Sequence, residues 1–168
     1  MHKKTKQDKK MIDINSLDKF IESKENEVPN IRPDTEKKII WANQNKVKTK
    51  ISLIFIHGFS ATRAELDPVI EMLGKELNAN IFFTRLRGHG LDGEALAEAT
   101  FDDWMIDTKE AIDIGNAIGD SLILIGCSTG CSLIHANLQY TENALAIIYV
   151  SPNFGPKSFF GQLLRIPG

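Results

Sequence analysis

The stretch Leu122-Ile123-Leu124-Ile125-Gly126-Cys127-Ser128-Thr129-Gly130-Cys131-Ser132-Leu133 constrains this chain more than any other. A short apolar run ends abruptly in Gly-x-Ser-x-Gly, and a helix-compatible segment follows at once. The pattern predicts a strand, a sharp turn and a helix, with Ser128 at the apex. A serine hydroxyl is a weak nucleophile unless it is exposed, free of local backbone bonds and close to a base. The turn would hold Ser128 in a strained conformation, and Gly126 and Gly130 lack the side chains that would collide where strand runs into helix. It would also aim the first helical N–H groups, beginning with Thr129, at the place where an oxyanion forms.

The rest of the chain reads as strands alternating with helices. Asn15 to Glu25 can form a short amphipathic helix through Leu17, Phe20 and Ile21, capped by Asn15 or Ser16, before Pro29 and Pro33 break the chain. Ile39 to Ala42 reads as a strand, Asn43 to Lys46 as a turn and Ile51 to Ile56 as a second strand, apolar throughout except Ser52. A continuous apolar run suits a parallel strand covered on both faces. A helix is predicted from about Arg63 to Leu77, with Leu66, Val69, Ile70, Leu73 and Leu77 on one face. Ile81 to Thr84 is the next strand, followed by a glycine-rich loop over Leu86 to Gly93. Thr100 caps a further helix, with Asp102 and Asp103 in its first turn and Phe101, Trp104, Met105, Thr108, Ile112 and Gly115 on its buried side. The helix after Ser128 runs to about Tyr140, and Leu145 to Val150 is the last strand. This alternation implies right-handed crossovers and an α/β fold with a mostly parallel sheet and helices on both faces. Chemistry in such sheets gathers past the carboxyl ends of the strands, where His57, Arg85, Ser128 and Asn153 all fall.

Bulk properties exclude several classes of function. The 168 residues suit one domain, and a formal net charge of −2 argues against general nucleic-acid binding. No apolar run approaches the roughly 20 residues that span a bilayer. Met1 to Lys10 holds five lysines without the apolar segment of a secretory signal, so residues 1–14 read as a disordered basic tail and the expected compartment is the cytoplasm. Cys127 and Cys131, the only cysteines, are poorly spaced for a disulfide and too few for a metal site, so they read as small residues in a crowded turn. Gly88-His89-Gly90-Leu91-Asp92-Gly93 matches Gly-x-Gly-x-x-Gly, but the acid at the right distance, Asp113, falls inside a helix, which argues against a dinucleotide site.

Three stretches, Phe55-Ile56-His57-Gly58-Phe59, Leu86-Arg87-Gly88-His89-Gly90 and Gly126-Cys127-Ser128-Thr129-Gly130, each follow an apolar strand in this order. Together they resemble the α/β-hydrolase superfamily, specifically its carboxylesterase and monoacylglycerol-lipase-like members, from about Ile39 onward. The resemblance implies a serine hydrolase that cleaves a carboxylic ester through an acyl-enzyme on Ser128. It implies oxyanion donors in the backbone N–H groups of Phe59 and Thr129, and a site shaped by His57, Gly58, Gly126 and Gly130. His57 and His89 are structural in similar enzymes, and His135 reads as a core or boundary histidine. No metal or cofactor is implied, and the expected partner is a small ester with an apolar acyl chain.

In this superfamily an acid and then a histidine follow the serine. After Ser128 this chain offers only Glu142 and His135, with Asn153 where some relatives place the acid. The expectation is therefore an amino-terminal part of a hydrolase domain over residues 15–168, lacking the carboxy-terminal strands, with a cap region beginning near residue 153. Phe159, Phe160, Leu163 and Leu164 could start an apolar lid helix. The alternative is a non-catalytic fragment or binding half without the triad acid and histidine. In either case strand 145–150 would present an apolar edge through which the chain could associate.

Overall fold

The computed structural model describes residues 13–155, so most of the basic tail and most of the expected cap, including the lid candidates from Phe159 to Leu164, lie outside the described residues. A single 3-10 turn at Ile14–Ser16 leads into α1 (Leu17–Asn26). The capping oxygen comes from Asp13, which accepts the Asn15 N–H at 3.0 Å; Ser16 makes no side-chain cap. Leu17 and Ile21 are buried as expected, whereas Phe20 faces solvent. Then come β1 (Lys38–Ile40), β2 (Thr49–Ile56), α2 (Val69–Glu76), β3 (Asn80–Phe83), α3 (Gly93–Glu98), α4 (Phe101–Ile118), β4 (Gly119–Cys127), α5 (Thr129–Ala136) and β5 (Ala144–Val150).

The five strands form one sheet in the order β1-β3-β2-β4-β5. β2, β3, β4 and β5 are parallel, and β1 pairs antiparallel with β3. Leu53 to Ile56 of β2 are fully buried because the sheet is covered on both faces. On one face Ile54, Ile56, Phe82, Leu122 and Leu124 pack against α1, α4 and α5. On the other, Leu53, Phe55, Ile81, Phe83 and Ile125 pack with Ile70 of α2. β5 is the edge of the described sheet, with Leu145 63% and Ile148 41% exposed.

Several expectations need correction. The predicted helix over Arg63–Leu77 is two pieces, a 3-10 turn at Arg63–Leu66 and then α2, because Asp67-Pro68 interrupts the hydrogen-bond ladder. The break changes the phase of the apolar stripe, leaving Val69 58% exposed while Ile70 is buried. The glycine-rich loop leads into the short helix α3, capped by Asp92 through the Ala95 N–H at 3.0 Å. The predicted helix to Tyr140 ends at Ala136 and resumes as a 3-10 turn at Leu138–Tyr140. The Thr100 cap is present, a reciprocal capping box with Asp103, but Phe101 faces solvent rather than the core.

Candidate functional site

β2, β3 and β4 run parallel, so their carboxyl ends deliver three loops to one side of the sheet. β4 ends at Cys127, and Ser128 turns the chain into α5 with φ 49° and ψ −111°. Such a conformation costs a non-glycine residue about 1–3 kcal/mol and persists only where the surroundings enforce it. The enforcement is visible. The Ser128 N–H donates to Val150 O at 3.0 Å, and Ser128 O accepts the N–H groups of Cys131 at 3.1 Å and Asn153 at 3.3 Å. Ser132 Oγ bonds Asn153 O and so ties the segment after β5 to α5. A Cβ on Gly126 would sit 2.7 Å from Cys131 N, and one on Gly130 would strike Ile56 O, so the turn closes only with glycine at both positions.

Every backbone atom of Ser128 is thus engaged, while its hydroxyl has no hydrogen-bond partner among the described residues. The Thr129 N–H, at the first position of α5, is likewise unpaired among the described residues. Cys127 and Cys131 are buried free thiols, and Cys131 Sγ donates to Gly126 O at 3.0 Å. Burial, with the Glu65 carboxylate close by, pushes the Cys127 thiol up to about 11, so it is no competing nucleophile at neutral pH.

The His57-Gly58-Phe59 loop lies directly against this turn. A Cβ on Gly58 would meet Ser128 Cβ at 3.2 Å and Glu65 Oε1 at 2.9 Å. His57 is fully buried. Its Nδ1–H donates to Gly58 O at 2.9 Å and its Nε2 accepts the Leu86 N–H at 3.2 Å. His89 repeats the pattern: Nδ1–H to Arg87 O at 3.2 Å, and Nε2 accepting the Ser60 N–H at 3.1 Å. Both rings are therefore neutral crosslinks between the loop after β2 and the loop after β3, with no nitrogen left to take a proton from Ser128. Burial drives both below the usual histidine value, His57 to about 4.

These bonds, with Gly58 N–H to Glu65 Oε2 at 2.7 Å, leave the Phe59 N–H as the unpaired donor of the turn Gly58–Ser60 among the described residues. Phe59 is 57% exposed, and its ring stands edge-on to His89 and Trp104, with centroids 6.1 and 6.0 Å away. A second layer holds the loop after β3. Arg85 Nε and Nη2 bind Glu25 Oε2 and Oε1 at 2.8 and 2.9 Å, with both side chains buried, and Arg85 Nη1 donates to His89 O at 3.2 Å. The helix α1 thereby braces the site from behind.

The remaining candidates fall elsewhere. Glu142 is exposed just before β5, at the opposite end of a seven-residue strand from Ser128, on the order of 20 Å away. His135 is exposed rather than a core residue, stacked near Tyr149 and Phe154 with centroids 6.4 and 5.4 Å away. Asn153 contributes its backbone. Arg85 falls past a strand end as expected, whereas Glu65 and Glu25 did not stand out as site residues from the sequence. Glu65 lies within the stretch read as one helix over Arg63–Leu77, and the signal that would have separated it is Pro68, which confines it to a short turn. Among the described residues no cluster of side chains could hold a metal ion, and no helix is long and apolar enough to cross a membrane.

No family model and no curated protein matches this chain. Solved structures do. One comes from LipS and LipT, two metagenome-derived lipolytic enzymes: it is 23% identical, covers 77% of this chain and 51% of its own, and has a TM-score of 0.66. Another is Est1E from Butyrivibrio proteoclasticus with ferulic acid bound, 20% identical over 70% of this chain and 48% of its own, with a TM-score of 0.56. This chain thus spans about half the length of the solved structures it matches. With a parallel sheet of this order, helices on both faces and a strand–serine–helix turn at its centre, the chain carries the α/β-hydrolase fold.

Proposed function

We propose that this chain is the nucleophile-bearing part of a serine hydrolase acting on carboxylic esters. The observation that carries the reading is Ser128: a strained apex residue whose hydroxyl is unengaged among the described residues, next to the Thr129 N–H and against the Gly58–Phe59 loop, with the Phe59 and Thr129 N–H groups likewise unengaged among the described residues. In this reading Ser128 Oγ attacks the ester carbonyl carbon, and the two N–H groups stabilise the oxyanion of the tetrahedral intermediate. The alcohol leaves, and water cleaves the resulting acyl-enzyme. One such donor is typically worth about 100- to 1000-fold in rate. Attack requires a base. His57 and His89 are committed to backbone bonds, so the histidine and its acid come from outside the described residues. The lipolytic character of LipS and LipT supports an ester with an apolar acyl chain, and the exposed Phe59 ring offers an apolar surface beside the serine.

The test uses the protein as its own cells produce it. Intact mass comes first, since a mass well above 18.8 kDa would place the acid and histidine in a further segment. Labelling by a fluorophosphonate should then be stoichiometric and vanish in Ser128→Ala with the fold retained. Labelling that survives the substitution removes Ser128 as nucleophile. A second reading, a binding piece without turnover, is favoured by the absence of any free ring nitrogen beside Ser128 among the described histidines. A mass of 18.8 kDa with no labelling would select it.

A further inference from the structure

Gly58 is the most mobile residue type at the most demanding position of the site, since its rotation sets where the Phe59 N–H points. In a trans peptide the N–H lies opposite the preceding C=O, so holding Gly58 O fixes the direction of the Phe59 N–H. Gly58 O is held by His57 Nδ1–H at 2.9 Å and the Ala61 N–H at 3.3 Å. The peptide plane on the other side of Gly58 is held through its N–H, by Glu65 Oε2 at 2.7 Å. With both planes fixed, the glycine has no rotation left.

We infer that Glu65 is a positioning residue of the oxyanion site, clamping the His57–Gly58 peptide so that the Phe59 N–H faces the Ser128 turn. The mount suits the task. Glu65 sits on the 3-10 turn Arg63–Leu66, opened by Thr62 as cap, with the Glu65 N–H donating to Thr62 O at 3.0 Å. Arg63 on one side is buried and paired with Asp34 at 3.1 Å, and Leu66 on the other packs against the core. The carboxylate is therefore carried by a short, anchored element rather than by a surface helix. Its second oxygen lies beside the same Gly58 position that Ser128 Cβ crowds, and the carboxylate also lies close to the Cys127 thiol, so one side chain reaches both the oxyanion loop and the end of β4. A charge-assisted bond to a backbone N–H is also about twice as strong as a neutral one.

The inference rests on the serine-hydrolase reading, and the variants separate the two. Glu65→Ala removes the acceptor and should lower kcat by about 10- to 100-fold, the loss expected when a reacting group is misplaced by about 1 Å, with KM changed less than about threefold. Glu65→Gln keeps an acceptor oxygen at the same reach and should stay within about threefold of the parent in kcat. Steady-state hydrolysis of a short-chain p-nitrophenyl ester by the protein from its own cells supplies both constants, with Ser128→Ala assayed alongside. Parent-like kcat in Glu65→Ala, or a Glu65→Gln loss as large as that of Glu65→Ala, overturns the role of Glu65 while the Ser128→Ala result stands by itself. If Glu65→Ala does not fold, Glu65→Asp, which withdraws the carboxylate by one methylene, is read in its place: a lowered kcat at little-changed KM supports the clamp and a parent-like kcat overturns it. Turnover that survives Ser128→Ala overturns the nucleophile instead.

Discussion

Acid should unlock the site through His57. The ring is fully buried, its Nε2 must stay unprotonated to accept the Leu86 N–H, and burial, with His89 and Arg85 nearby, holds its pKa at about 4 against an ordinary 6.5. Between those values the unfolded chain binds a proton at this position and the folded chain does not. Stability from this group is therefore complete above about pH 6.5 and falls as pH drops toward 4. At about 1.4 kcal/mol per pH unit the window is worth about 3 kcal/mol. Other groups titrate in the same range, so the measurement is a difference. Urea unfolding of the parent protein and of His57→Gln, each at pH 7 and pH 4, isolates the contribution. The variant is less stable at pH 7 because two backbone bonds lose their crosslink, and the gap between the two proteins should shrink by about 3 kcal/mol at pH 4. A gap that stays within about 0.5 kcal/mol across that range would refute the buried, neutral crosslink.

Three further outcomes follow from the packing. Glu25→Ala leaves the buried Arg85 guanidinium unpaired and should destabilise the fold by about 3–5 kcal/mol; replacing both residues by apolar ones should recover much of that in the same urea assay. Cys127, held up to about 11, is about one part in a thousand thiolate at pH 8, so it should react with an aromatic disulfide only after unfolding; fast native labelling followed by peptide mapping would contradict its placement. The exposed Leu145 and Ile148 on β5 predict that residues 1–168 expressed alone bind a hydrophobic-surface dye or associate through that edge. A monomeric, dye-free protein with one sharp unfolding transition would count against this.

Local chemistry carried much of the fold. The elbow could be read because Gly-x-Ser-x-Gly after an apolar run is a local pattern; the Gly126 position is closed by the nearby backbone of Cys131, and the Gly130 position by the backbone of Ile56 on the adjacent strand. The Thr100–Asp103 cap and the continuous apolar run of β2 are equally local signals. The phase of the stripe through Leu66, Val69 and Ile70 was not, because the count ran across Pro68 as though the helix were unbroken.

The site divides along the same line. Sequence by itself determined the order of the strands and helices and the turn that presents Ser128, since each is signalled by residues a few positions apart, while the neighbour that demands glycine at 130 is Ile56 of the adjacent strand. For the histidines the resemblance implied only a structural part, and tertiary structure alone decided which bonds they make. Each ring spans two loops nearly thirty residues apart, and only their packing commits both nitrogens of His57 and His89 to backbone partners. It likewise brought Glu65 to Gly58 and Glu25 to Arg85. Such contacts pair residues that no local rule links, so they exist only once the strands have been laid side by side.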